Sequence, residues 1–305
     1  MSVKLGPNRY GKAEIRLVHV VRDGPVHHLK DVTVSTALSG DMEATHLTGD
    51  NSAVLPTDTQ KNTVYAFARE HGVGQIEEFA LLLARHFVAS QPTIRHARVA
   101  VEEHAWNRGG PHSFVRDGGE ARTCVVHHDE DGRSTVVSGL TDLVVLNTTG
   151  SEFHGYVVDR YTTLPPATDR VLATAVTARW RHAGQPGSYA DSYREARRAL
   201  LEAFADTYSR SLQQTLYAMG ERALTACPGL CEIRLTLPNK HHFLVDLSPF
   251  GLDNDNDDHN DHNNDNNDNN DHNDNAVYHA ADRPYGLIEG SVLREDAPDA
   301  GFAWE

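Results

Sequence analysis

Two threonines, an acid, an amide and a lysine crowd the stretch Pro56-Thr57-Asp58-Thr59-Gln60-Lys61-Asn62-Thr63, where an extended segment gives way to a helical pattern through Val64, Phe67 and Ala68. One hydroxyl or carboxylate is enough to cap a helix. Asp58 or Thr57 can take the N-cap, accepting from the first free amides at an end that also carries partial positive charge. Further polar clusters fall at the ends of other elements. Tyr10-Gly11-Lys12 begins a strand, Phe153-His154-Gly155 follows a Thr-Gly-Ser turn, and Thr168-Asp169-Arg170 precedes a strand. Ser211-Leu212-Gln213-Gln214-Thr215 opens a helix, and Pro238-Asn239-Lys240-His241-His242-Phe243 interrupts a strand. Brought together, such residues could handle a planar heterocycle. An aromatic ring is a stacking platform, while an arginine fork and a glutamine amide bond in the plane to carbonyls and ring nitrogens. A lysine, a threonine hydroxyl and a histidine could relay protons, provided burial lowers the lysine's pKa enough for it to act as a base. Taken singly, each has a plainer reading: a solvated lysine, a core ring, a surface arginine, a capping amide, a hydrogen-bonded core histidine. No local motif is as tight as a zinc ribbon.

The elements that must position these residues follow from periodicity. Asn8 to Arg22 alternates, with Ile15, Leu17 and Val21 on one side, and reads as a half-buried strand; His28 to Leu38 is a second strand after the turn Asp23-Gly24-Pro25. Helical patterns run from about Asp58 to His71, stopping at Gly72, and from about Ile76 to Val88. Thr93 to Trp106 and Arg122 to His127 read as strands, with a loop at Arg108-Gly109-Gly110-Pro111 between them. The order then recurs: strands at Arg133 to Asn147 and Val171 to Trp180, helices at Asp191 to Tyr208 and Ser211 to Thr225, strands at Cys231 to Leu247 and Ala276 to Glu289. An antiparallel sheet with a helix pair on one face, made twice, is the economical α+β interpretation. The split falls at the turn Asp131-Gly132, giving halves 1–132 and 133–305.

Composition narrows the function classes. The 305 residues carry a net charge of −15, but residues 253–275 consist only of nine Asp, eleven Asn and three His. Without those nine charges the other 282 residues are left at −6, an ordinary mildly acidic surface. Clustered Lys and Arg, the footprint of a nucleic-acid binder, are missing. No apolar run approaches the ~20 residues of a membrane span, and no signal peptide opens the chain. Cys124, Cys227 and Cys231 read as structural cysteines of a reducing cytosol. The 253–275 tract has no apolar residue to offset the entropy of ordering, so a disordered loop between the last two strands is expected. Its imidazoles among carboxylates could hold divalent metal weakly, without a fixed geometry.

In these same clusters the chain resembles the urate oxidase (uricase) family. The resemblance rests on Tyr10-Gly11-Lys12-Ala13-Glu14, Thr57 to Tyr65, Ser151-Glu152-Phe153-His154-Gly155, Tyr161-Thr162-Thr163-Leu164, Asp169-Arg170, Gln213-Gln214-Thr215, Leu237 to Phe243 and Ala281-Asp282-Arg283-Pro284-Tyr285-Gly286. It covers nearly the whole chain in family order. It is weak from Trp106 to Thr123, departs at Val157-Val158, and fails at 253–275, which stands as an insertion. The resemblance implies two tandem tunnelling-fold (T-fold) halves of ββααββ order. It implies sheets of paired subunits closed into a barrel, two barrels stacked into a homotetramer, and active sites between subunits. By resemblance, Phe153 is the substrate platform, Arg170 and Gln213 the in-plane clamp, and Leu212 a backbone donor. Lys12 and Thr57, with Asp58 beside them, come from the neighbouring chain as the catalytic pair; Asn239 and His241 hold dioxygen or water over the ring and complete the relay. The implied reaction is oxidation of urate by O2 to 5-hydroxyisourate and H2O2 in the cytoplasm, with no metal or organic cofactor. Two alternatives stand beside it. A T-fold enzyme acting on a pterin or related purine would usually carry an acid where Gln213 stands. A metal-buffering protein would work through the 253–275 tract.

Overall fold

The computed structural model describes residues 2–254 and 275–305. The loop expected at 253–275 therefore lies, apart from its ends, outside the described residues, and so does the metal-buffering alternative that depends on it. In chain order the elements are β1 (Tyr10–Val21), β2 (His28–Gly40), α1 (Glu43–Leu47), α2 (Thr57–His71), α3 (Ile76–Ser90), β3 (Ile94–Glu103), β4 (Trp106–Arg108), β5 (Phe114–Arg116) and β6 (Ala121–Asp129). They continue as β7 (Ser134–Asn147), β8 (Leu172–His182), α4 (Tyr189–Asp206), α5 (Leu212–Ala226), β9 (Leu230–Leu244) and β10 (Tyr278–Leu293).

Eight strands form one antiparallel sheet in the order β1-β2-β3-β6-β7-β8-β9-β10. Strand alternation puts one set of side chains under the helices: Ala97, Val99 and Val101 of β3 are buried while Arg98, Ala100 and Glu102 are not. The helix-side residues form two clusters, one under α2 and α3, the other under α4 and α5. Strand β7 belongs to both, through Val136 in the first and Leu140 in the second. A buried polar group sits at that junction. Glu77 of α3 accepts from Arg122 at 2.7 Å and from the Ser138 hydroxyl at 2.7 Å, and the same hydroxyl lies 3.0 Å from His182 Nε2. The turn at Asp131-Gly132 is a β6–β7 hairpin in which Gly132 takes φ 87°, a left-handed conformation suited to glycine.

Several expectations need correction. The strand expected to reach Trp106 ends at Glu103, and Trp106 opens the separate β4–β5 hairpin, whose tip holds the expected loop. That hairpin is clamped to Asp31 by Trp106 Nε1 at 2.8 Å and Arg116 at 3.3 Å. Helix α1 was not foreseen. The segment Pro238 to Phe243 does not interrupt a strand: β9 runs through it, and the irregularity lies in β10, between Ala281 and Gly286. Proline is tolerated there because no β8 partner residue needs its missing amide; the pairing with β8 passes from Thr236 to Asn239. The three cysteines are unpaired and buried, and among the described residues no helix is long and apolar enough to cross a membrane.

Candidate active site

Strand β8 and the loop before it build the platform side. Phe153 is held by paired backbone hydrogen bonds with Ala167, at 2.8 and 3.0 Å, and is half-buried. One face of its ring is taken by Tyr156, stacked at a centroid distance of 5.0 Å with planes 20° apart. Tyr156 is itself fixed by its hydroxyl, which donates to the Leu164 carbonyl at 2.5 Å. The guanidinium carbon of Arg170 lies 5.2 Å from the Phe153 centroid, and its Nε donates to the buried Ser151 hydroxyl at 3.2 Å. With Nε anchored, the two terminal nitrogens are left to serve a ligand as a fork. Ser151 also bridges to Ser209, and the Glu152 amide donates to the Ser209 carbonyl at 2.8 Å, which sets the platform against the start of α5. There Ser211 is the N-cap, accepting from the Gln214 amide at 3.2 Å. Leu212 and Gln213 are the first two helical residues, where amides lack intrahelical acceptors and can face a ligand; Leu212 is buried and Gln213 exposed.

Strand β9 completes this side. Asn239 stands opposite Thr174 of β8 and Gly286 of β10, and His241 follows two residues on, so both lie on one face of the strand. Burial, then the positive charges of Arg170 and His242, hold the His241 imidazole below its ordinary pKa. A neutral imidazole close to a guanidinium can accept a proton at neutral pH.

The second group is built elsewhere. Lys12 sits where β1 bulges: it pairs with Thr36, the next paired residue is Ile15, and Glu14 takes φ 57°. Gly11 precedes it because β1 passes so close to β2 that a Cβ there would lie 1.7 Å from the Thr36 carbonyl oxygen. Helix α2 starts one residue earlier than the capping argument requires. Its N-cap is Pro56, so neither Thr57 nor Asp58 caps it, and no side chain replaces them in that role. Thr57 and Asp58 occupy the first turn, and Asp58 instead accepts from Lys61 and from Asn62 at 3.2 Å. The hydrogen bond from Lys61 leads the effects that hold the Asp58 carboxyl below its ordinary pKa, and the charge of Lys12 adds to them, so Lys12 and Asp58 share one corner.

Within one chain these two groups stand apart. Lys12 is on β1, an edge strand, and Arg170 lies two residues before β8, five strand steps across the sheet. At about 4.8 Å a step this is about 24 Å along the sheet. Strands β1 and β10 end the sheet order without a further partner among the described residues. The sequence reading missed Tyr156 and Ser151 as supports of Phe153 and Arg170. Ser151 was in reach, since it opens the Ser-Glu-Phe-His-Gly stretch; Tyr156 lies next to the divergent Val157-Val158.

Comparison with known proteins bears on this arrangement. The uricase family model matches residues 8–127 and 136–289. The uricase of Arthrobacter globiformis is 46% identical over 296 residues, 96% of this chain and 91% of that protein. The uricase of Dictyostelium discoideum is 35% identical over 94% of this chain and 96% of its own length. The crystal structure of the Arthrobacter globiformis uricase superposes with a TM-score of 0.90 at 45% identity, covering 100% of this chain and 99% of that one, so the α+β tunnelling-fold expectation holds. With its fold matched end to end and its sequence matched across both halves of the sheet, the chain belongs to the uricase family.

Proposed function

We propose that the chain oxidises urate with O2 and water to 5-hydroxyisourate and H2O2, at a site shared by two subunits, with no metal or organic cofactor. Urate oxidation is the activity that family membership assigns to it. The observation that carries the site assignment is the pairing of a backed aromatic plate with an anchored guanidinium, Phe153 and Arg170, in a chain whose Lys12 lies on β1, an edge strand with no further partner among the described residues, and whose Thr57 and Asp58 open α2 beside it. Urate stacks on the ring of Phe153. Arg170, the Gln213 amide and the Leu212 backbone N–H grip its edge in the plane. Lys12, acting through Thr57, takes a proton from urate or from the water that reacts with it, and Asp58 keeps that corner's charge in balance. Deprotonated urate is electron-rich enough to give electrons to O2. The chain's task is to orient the anion, hold O2 or water above it with Asn239, and pass protons onward through His241.

The chain assembles as a homotetramer in the cytoplasm, with β1 of one copy meeting the sheet of the next; two sheet edges without a further partner among the described residues, and the unpaired cysteines, support this reading. Residues 1–132 and 133–305 are the two T-fold halves, and the Asp/Asn/His tract is an insertion at the β9–β10 connection. A bulge of one extra residue recurs in the first strand of each half, at Lys12 to Ile15 and at Leu140 to Leu143, which supports the division. The test is urate consumption in metal-free buffer with peroxide measured alongside. Equimolar peroxide after exhaustive chelation is expected; activity lost on chelation and restored by an added metal would overturn the cofactor-free reading.

A further inference from the structure

Lys12 and Thr57 come from a strand and a helix, so whatever joins those elements sets the distance between them. The helix start is not held by a cap, since Pro56 offers none. It is held from inside. Gln60, one turn beyond Thr57, is fully buried, and its Oε1 accepts from the Thr36 hydroxyl at 2.7 Å while its Nε2 donates to the Leu55 carbonyl at 3.4 Å. Thr36, 4% exposed on β2 and directly opposite Lys12, accepts the Lys12 backbone N–H at 3.3 Å. The Leu55 amide donates to the Tyr10 hydroxyl at 2.9 Å. The ring is closed: β1 to β2, β2 to α2, α2 to its approach segment, and back to β1, with attachments on both sides of Gly11.

The fold does not require this ring. Strand β7 repeats the bulge of β1, with Asp142 at φ 60° where β1 has Glu14 at φ 57°. By that match Leu140 stands in the place of Lys12, and Ala178, opposite Leu140, in the place of Thr36. Both are fully buried and apolar. At these two matched positions the same architecture is therefore built once with apolar side chains and once with polar ones. A buried polar network must be fully satisfied to be tolerated, and in return it fixes geometry more tightly than apolar contacts do. This one occurs in the half that carries Lys12 and Thr57.

We infer that Thr36 and Gln60 are positioning residues that hold Lys12 at the proton-transfer distance from Thr57. The inference rests on the roles proposed above for Lys12 and Thr57. Thr36→Val keeps the side-chain shape and removes the hydroxyl; Thr36→Ser keeps the hydroxyl; Gln60→Met breaks the ring from the helix side. Misplacement of about 1 Å costs on the order of 100-fold in rate, so kcat of Thr36→Val and Gln60→Met is expected to fall by about 10- to 100-fold, with KM within about twofold. Thr36→Ser should return kcat to within about threefold of the parent, a rescue that a loss of packing alone would not show. Lys12→Met is measured alongside. If it loses turnover while Thr36→Val and Gln60→Met keep theirs, the positioning role is wrong; Thr36→Ser as impaired as Thr36→Val also overturns it. Should Thr36→Val fail to fold, Gln60→Met at parental kcat overturns the inference. Parental turnover in Lys12→Met would instead remove the catalytic reading, and this inference with it.

Discussion

Two variants impaired at low substrate should restore each other. In Lys12→Met the proposed proton acceptor is gone; in Arg170→Ala the proposed clamp loses charge-assisted hydrogen bonds of about 1.5–3 kcal/mol to the ligand, raising KM by about 10- to 100-fold. The two residues are about 24 Å apart along one chain's sheet, several times the ~3 Å over which a proton is handed on, so the proposed site takes one from each subunit. In an assembly formed from equal amounts of the two variants, each site draws its Lys12 side and its Arg170 side independently. About one quarter of sites then receive both native residues, about one quarter neither, and the rest one of the two. The assay is co-expression of the variants under different affinity tags, purification through both tags, and urate absorbance decay at low substrate. The preparation should recover activity approaching one quarter of the parental protein, while each variant alone stays near background. Activity no greater than the average of the separate variants would refute the shared site, because sites contained in one chain cannot be repaired by a neighbour.

Other outcomes follow from particular contacts. Glu77→Leu strands the Arg122 guanidinium, 12% exposed and left with Glu103 at 4.0 Å, and should cost about 3 kcal/mol in urea unfolding; an unchanged midpoint would argue against the buried pair. His182 is pushed down from 6.5 to about 4, chiefly by burial and then by Arg122. The unfolded chain therefore takes up a proton that the folded chain refuses, and stability falls as pH drops from 6.5 toward 4, by about 1.4 kcal/mol per pH unit and about 3 in all. His127, pushed down to about 3, acts in the same sense, so His182→Gln should remove only part of the slope seen in urea midpoints against pH; an unaltered slope contradicts the assignment. Asn254 donates to the Val245 and Val277 carbonyls at 2.8 and 2.9 Å and accepts the Val277 amide at 2.8 Å, closing the end of the β9–β10 pair. Asn254→Ala should cost about 1–3 kcal/mol and speed hydrogen exchange at Val277; unchanged exchange there would show that the clasp holds nothing.

The order of elements was legible because it is local. A strand that buries one face alternates, as β3 does through Ala97, Val99 and Val101, and a helix that buries one stripe repeats near every third or fourth residue, as α3 does through Ile76, Phe79 and Leu83. Residue chemistry was legible too, since a stacking ring, a guanidinium fork and an amine are recognisable wherever they fall. Long-range partners decided the rest. Trp106 left its strand because Asp31, 75 residues earlier, takes its indole N–H. The bulge at Lys12 shows only in the register of β1 against β2, and the freedom of Thr57 and Asp58 from capping shows only once Pro56 is seen to hold the N-cap position. What the chain's letters supplied was side chains of the types that can move protons and grip a flat anion. Tertiary structure decided that they divide into two groups on opposite parts of one sheet, since hydrogen-bonded strand spacing fixes a distance no side chain can span.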